Sequence, residues 1–400
     1  MKPNVLLVTG IVPGTQGVGQ LFLRDLVISY PHDKIACYGI IENGMMVNSP
    51  DLSWLKVAYE RRPREAGIWR FGRLVGKITG LLAWNYTRLF KLRSIRVRIV
   101  EFARQNHSEV IWVILSTPTL IAIARNLAKE LSLPLVVTIW DPPKMITDNL
   151  RFARVDEGRL MDEFSKVLQA TYRCGVASEN MAEEYAKKYG VRPVVQMMPA
   201  PSVVQPTGNY EVPANKDTFT IGFGGSFYTI EVWKSLLWAL DSVNWEVDGK
   251  LIYLKILATQ MPFDVQRKER VAYLGWQSVH KAIEVLADAD VLYLPYWFDE
   301  EHSEYVRLSF PGKMGTYLRV AKPVLFHGPG NSTPAKFIKK YSVGCCCHST
   351  DSEDIINALR RFVNNSEIYR TTRENATAIT NTGELSQDHF KNKFEELITV

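Results

Sequence analysis

The sequence predicts an α/β protein made of two doubly wound units in tandem, each a largely parallel sheet wrapped by helices. Three observations carry this expectation. The chain has 400 residues, more than a single core ordinarily supports. Short apolar runs alternate with amphipathic stretches, which is the rhythm of βαβ units. A stretch at 199–217 (PAPSVVQPTGNYEVPANKD) holds four prolines and little periodic pattern, and it separates two such series as an interdomain linker would.

In the first half, residues 5–8, 35–41, 110–115, 135–139, 174–178 and 194–197 are apolar enough to read as buried strands, and 19–29, 118–131, 161–172 and 179–189 carry helical spacing. After the linker come a strand at 218–222, a helix from about 231, strands at 251–257, 271–274, 291–294 and 323–326, and helices at 279–287, 312–320 and 352–363. The expected division is a first domain over 1–200, a second over 201–385, and a terminal helix at 386–400 that packs back on the first domain. Ligands of open α/β sheets bind beyond the carboxyl ends of the strands, so two such units facing each other would enclose a central cleft.

Composition excludes several classes. Apolar residues make up 46%, aromatic residues 11% and charged residues 22%, as in a globular protein, and no run of about 18 uncharged apolar residues is present to span a bilayer. The start, Met1-Lys2-Pro3-Asn4 followed by a short apolar strand, lacks the long apolar core and cleavage site of a signal peptide, so a cytoplasmic location is expected. Five cysteines, three of them consecutive at Cys345, Cys346 and Cys347, have neither metal-site spacing nor an even count for disulfides, and they read as buried strand filler.

Five stretches could carry chemistry. Gly14, Gly17 and Gly19 lie between the first strand and a helix and form either a substrate-facing loop or a structural βα turn; their spacing is not that of the dinucleotide fingerprint. Asp141, in Trp140-Asp141-Pro142-Pro143, follows a strand and suits a hydroxyl partner or a turn cap. Gly224-Gly225-Ser226-Phe227 ends a strand with amides that glycines could free for a diphosphate. Trp276, after Leu274-Gly275, fits a nucleobase stack or a core position. The most specific stretch runs from Arg307 to Leu325: Ser309 is placed to cap, Pro311 suits a first helical turn, and a loop would deliver Arg307 and Lys313 together to a helix N-terminus, an anion site.

The run SFPGKMGTYLRVAKPVL resembles the donor-site motif of the GT-B-fold retaining glycosyltransferases (glycosyltransferase group 1, family 4-like), which reads along the lines of P-x-K-x-x-E-Y-L-A-x-G-K-P-V. The glycine loop, the Gly224-Gly225 turn and Leu274-Gly275-Trp276 stand in the order that this family leads one to expect. The resemblance implies two Rossmann-like domains across a central cleft and a hexosyl- or deoxyhexosyltransferase that uses a nucleotide-diphosphate sugar. It implies that Arg307 and Lys313 neutralise the diphosphate; Asp141, from its own place at a strand end, joins them as a catalytic candidate. Gly225 and Ser226 would bind the diphosphate through backbone, Trp276 would lie near the base, and Ser309 and Phe310 would line the sugar. Pro311, Thr316 and Tyr317 belong to the same donor site. Thr316 stands where the family commonly has a glutamate that grips the ribose, and a hydroxyl cannot make that bidentate contact, so a deoxyribose donor such as a dTDP-sugar is admitted. Asp299, Glu300, Glu301 and Glu304 are the nearby carboxylates. Neither a metal nor another cofactor is expected.

Net charge is +6, yet residues 61–104 alone hold twelve Arg or Lys against Glu65 and Glu101. Those cations interleave with Trp69, Phe71, Leu74, Ile78, Leu81, Leu82, Trp84, Tyr86, Leu89 and Phe90, the pattern of a helix lying on an anionic membrane surface. An amphipathic helix pair with a solvated basic face is the other reading, and nucleic acid has no recognition motif here. The expected function is therefore sugar transfer to a lipid-linked or glycan acceptor, with retention, in surface polysaccharide or glycolipid synthesis at the inner face of the cell membrane. A nucleotide-sugar epimerase of the same fold and a catalytically silent nucleotide-binding module are the alternatives.

Overall fold

The structure is a computed structural model that describes residues 2–15, 17–45, 49–68, 70, 72–202 and 217–400. Most of the expected linker, 203–216, lies outside the described residues, as do Gln16, Trp69 and Phe71. The chain forms two compact units, residues 1–196 with 390–400, and residues 197–389.

The first unit is built on seven strands: β1 Val5–Thr9, β2 Ile35–Ile41, β3 Lys56–Arg61, β4 Val110–Ile114, β5 Leu135–Ile139, β6 Arg173–Val176 and β7 Pro193–Val195. They lie in the order β3-β2-β1-β4-β5-β6-β7, every pairing parallel. The inner strands β1, β2, β4 and β5 are buried along their whole length, because helices cover both faces of a parallel sheet. Helix starts follow capping chemistry: the Thr117 hydroxyl accepts the Leu120 amide before Pro118–Leu131, and Ser178 does the same for Met181 before Glu179–Tyr189. A long helical stretch runs Arg73–Tyr86, through a π turn Thr87–Lys91, into Leu92–Gln105. The last helix, Gln387–Ile398, sets Phe390 against Phe22 (4.9 Å between ring centres) and Phe394 against Trp112 (4.7 Å), so the chain's end completes this unit's core.

The second unit holds β8 Thr218–Gly224, β9 Glu246–Val247, β10 Lys250–Leu257, β11 Val271–Tyr273, β12 Val291–Pro295, β13 Val324–His327 and β14 Gly344–Cys347. The order is β11-β10-β8-β12-β13-β14, all parallel, with the short β9 antiparallel to β10. Its core includes Phe219, Phe223, Trp233, Trp245, Tyr293 and Phe362. The three cysteines do form a strand, but only Cys347 is buried; Cys345 and Cys346 are half-buried because β14 is the sheet's edge.

Candidate functional site

The ligand crevice of an open parallel sheet lies where the strand order reverses. In the second unit that point is between β8 and β12, since the chain runs outward from β8 to β10 and β11 before returning on the other side as β12. Gly224 closes β8 there, and Gly225 follows with φ +118°, a conformation that only glycine takes readily. A Cβ at position 225 would also lie 3.3 Å from the ammonium nitrogen of Lys313.

Lys313 opens the helix Lys313–Val320. Its Nζ stands 4.4 Å from the centre of the Phe223 ring and 4.8 Å from that of Tyr228, and donates to the Ser226 carbonyl at 3.5 Å. Burial, with no carboxylate acting on it among the described residues, pushes this amine down to about 7. A cation at a helix start, held among the described residues by ring faces and a carbonyl, is arranged to gain from an arriving anion.

One turn later, Tyr317 is fully buried and ties the helix to the sheet. Its hydroxyl accepts the Gly224 amide at 3.1 Å and donates to the Tyr293 carbonyl at 3.0 Å. Beneath it the Tyr293 hydroxyl donates to His327 Nδ1 at 2.7 Å, and His327 Nε2 donates to the Ser349 carbonyl at 2.7 Å, which fixes the ring's tautomer. Burial holds His327 down to about 4, so the ring stays neutral.

The structure departs from three of the sequence expectations. The glycine amides are not free for a ligand: Gly224 donates to Tyr317, and Gly225 donates to Leu257 at 2.8 Å because the β8–β10 ladder continues past the strand end. Among the described residues it is the next two amides, of Ser226 and Phe227, that have no acceptor. Ser309 does not cap the helix that carries Lys313. It is buried and ends a short preceding helix, Ser303–Leu308, while Gly312 takes the cap position and the Pro311 carbonyl accepts the Met314 amide at 2.9 Å. Arg307 lies on that short helix rather than in a loop.

The remaining candidates are spread over the unit. Phe310 packs its ring against Phe337 at 5.1 Å, and Thr316 is half-buried on the Lys313 helix. Trp276 follows β11 and is 72% exposed, so it is not a core residue. An aromatic wall that has no motif in the sequence begins at the lysine: Tyr228 stands 5.6 Å from Trp297, which stacks on His302 at 4.5 Å with ring planes 6° apart. Asp299 orients that imidazole through a 2.6 Å hydrogen bond to Nδ1.

In the first unit the reversal falls between β1 and β4. Of the three glycines expected in the loop after β1, only Gly14 lies in it: Gly17 takes the N-cap position of the helix Val18–Ile28, and Gly19 is in that helix's first turn. Gly17 is open to space, while Gly14 faces the Gln20 side chain. Gly19 serves close packing: a Cβ there would lie 2.5 Å from Ile11 Cδ1 and 3.3 Å from the Trp140 ring. Asp141 is half-buried in the bend after β5. Pro142, not Asp141, takes the cap position of the following helix Pro143–Leu150.

No protein-family model matches the chain, and no curated protein sequence matches it. Solved structures do. A lipopolysaccharide outer core galactosyltransferase, WaaB in its apo form, superposes with a TM-score of 0.64 at 12% identity, over 98% of each chain. HepE of Anabaena, in complex with UDP, gives 0.64 at 13% identity over 99% of each chain. Sucrose-phosphate synthase from Thermosynechococcus elongatus gives 0.64 at 12% identity, over 98% of this chain and 99% of that one. The chain has the GT-B glycosyltransferase fold.

Proposed function

We propose that this chain is a nucleotide-sugar-dependent glycosyltransferase whose donor diphosphate sits at the Gly225–Lys313 corner of the second unit. The observation that carries the reading is the ammonium of Lys313, on which no carboxylate among the described residues acts, held beneath a positive-φ glycine at the sheet's reversal point and at a helix start. That HepE was solved with UDP supports a nucleoside diphosphate as the ligand class.

In this mechanism the diphosphate takes the amides of Ser226 and Phe227 and the charge of Lys313, with Arg307 as a second cation. Trp276, exposed and therefore available, stacks on the base. Thr316 stands near the ribose, where the lack of a carboxylate suits a deoxyribose donor. Tyr317 holds the Gly224 backbone in place and is a positioning residue. As the bond from the sugar's anomeric carbon to the phosphate oxygen breaks, negative charge grows on the leaving diphosphate, and a fixed cation stabilises that change more than it does the ground state. The acceptor oxygen bonds to the anomeric carbon on the same face, and its proton passes to the leaving phosphate, giving retention without a metal. The first unit serves the acceptor, with Asp141 orienting its hydroxyl and the Gly14–Gly19 stretch nearby. The acceptor is lipid-linked or a growing glycan, handled at the cytoplasmic leaflet of a membrane in surface polysaccharide or glycolipid synthesis.

A thermal-shift panel of UDP-, GDP- and dTDP-sugars tests this. At a ligand concentration a hundredfold above Kd, binding adds about 2.7 kcal/mol, or roughly 5–10 °C for a unit of this size. One nucleotide class should raise the melting temperature, and Lys313→Met should abolish the shift. A panel without effect, or a shift untouched by Lys313→Met, overturns the proposal.

A further inference from the structure

The helical stretch from Arg73 to Gln105 turns the wrong face to solvent. On Arg73–Tyr86, Leu74, Ile78, Leu81 and Leu82 share one side at helical spacing, and all four are exposed, Leu74 at 72%. The π turn Thr87–Lys91 extends this side. Its extra residue lets Thr87 stay buried, with its hydroxyl on the Arg64 carbonyl at 3.1 Å, while Leu89 and Phe90 stand 64% and 66% exposed. A contiguous apolar stripe of this kind marks an interaction surface.

The opposite side is anchored in the first unit. Trp84 is buried and packs on Phe152 at 5.6 Å, and Leu92, Ile95 and Ile99 are buried in the following helix. The strap leading into the stretch is fixed too. Glu65 is buried and accepts the Thr119 amide at 2.8 Å, and Gly67 crosses so close that a Cβ would lie 1.9 Å from the Gly76 carbonyl. The apolar stripe is therefore a held feature of this unit's surface.

Charge decides what the stripe fits. No Asp or Glu occurs between Glu65 and Glu101. Arg96 and Arg98, beyond the stripe, are paired with Glu130 and Glu60. Among the described residues no carboxylate pairs with Lys77, Arg88, Lys91 or Arg93, all exposed beside the stripe. Leucine and phenylalanine edged by cations that no carboxylate among the described residues neutralises match a bilayer surface of anionic phospholipid, where the apolar side chains enter the acyl boundary and the cations meet phosphates. A second copy would set like charges against each other, and nucleic acid would leave the leucines without a partner. No helix among the described residues is long and apolar enough to cross a membrane, so the stretch would lie in the surface.

We propose that this face is a docking surface for an anionic phospholipid bilayer, with Leu89 and Phe90 at the π turn as its inserted tip. This face is independent of the donor site and of sugar transfer. The test is flotation of the full chain with vesicles of phosphatidylcholine alone or mixed with phosphatidylglycerol. The chain should float with the anionic vesicles and not with the neutral ones. Neutralising a cation, as in Arg88→Gln or Lys91→Gln, should lower partitioning about fivefold each. Leu89→Ser with Phe90→Ser should lower it at least about tenfold. All these side chains are exposed, so circular dichroism, melting temperature and nucleotide-induced thermal shifts should stay unchanged, which separates this proposal from the enzymatic one. Equal flotation with both vesicle types overturns it, as does indifference to the substitutions. Two further results would also overturn it: a concentration-dependent dimer that the double substitution abolishes, or RNA binding without vesicle binding.

Discussion

Titrating Lys313 should set the affinity for a nucleoside diphosphate, because its amine is pushed down to about 7 in the unliganded protein. Binding an anion there requires the charged form. With half of the amine charged at pH 7 and about one hundredth at pH 9, the apparent Kd should weaken about fiftyfold over those two units. The second phosphate ionisation lies near 6, so the ligand's own charge is nearly constant across that range. Calorimetry in buffers of different ionisation enthalpy should show about half a proton taken up per ligand at pH 7 and nearly one at pH 8 or above. Lys313→Arg, which cannot lose its charge, should flatten the profile, and Lys313→Met should weaken binding at every pH. Stability is linked in the same window. The folded amine sits below its ordinary 10.5, so between about 7 and 10.5 the unfolded chain binds the extra proton. The unliganded protein should therefore gain stability relative to Lys313→Met as pH rises through that window. A wild-type Kd independent of pH from 7 to 9, or a slope that persists in Lys313→Arg, refutes the reasoning.

Three further outcomes follow from the same corner of the fold. Tyr317→Phe leaves the Gly224 amide and the Tyr293 carbonyl without their hydroxyl partner; stability should fall by about 1–3 kcal/mol in denaturant melts, with weaker nucleotide binding, whereas unchanged values would show that the link is idle. Trp276→Ala should change stability by less than about 0.5 kcal/mol because the indole is exposed, yet cost about 1–3 kcal/mol of nucleotide affinity in calorimetry; a loss of stability alone would remove it from the donor site. His327 is held down to about 4 against an ordinary 6.5, so the unfolded chain binds the extra proton in that window and stability should fall as pH drops from 6.5 toward 4; His327→Gln should remove that slope from the melting curves.

The fold was legible because parallel strands covered on both faces are nearly unbroken apolar runs, as VLLVT, VIWVI and VLYLP are. The strand β3 was not legible. Its sequence KVAYER is half-exposed at the sheet edge, and its charges merge with the basic segment that follows. The candidate site was legible as far as local signals reach: the Gly224-Gly225 pair after a strand, and Lys313 beside a helix start. Its hydrogen-bond economy was hidden, because Tyr317 and Leu257 reach the glycine amides from far along the chain. Ser309 looked like a cap since the six-residue helix before it is too short to show a period. Tyr228, Trp297 and His302 form their wall through tertiary contact, and nothing in their spacing announces it.

The account rests on a diphosphate site at Gly225 and Lys313, and a crystal structure of the protein soaked with the nucleoside diphosphate that gives the largest thermal shift tests it most directly. The account predicts phosphate oxygens bonded to Lys313 Nζ and to the Ser226 amide, with the base against Trp276. Phosphates bound instead at the glycine loop after β1, with the Lys313 corner unchanged, would contradict it.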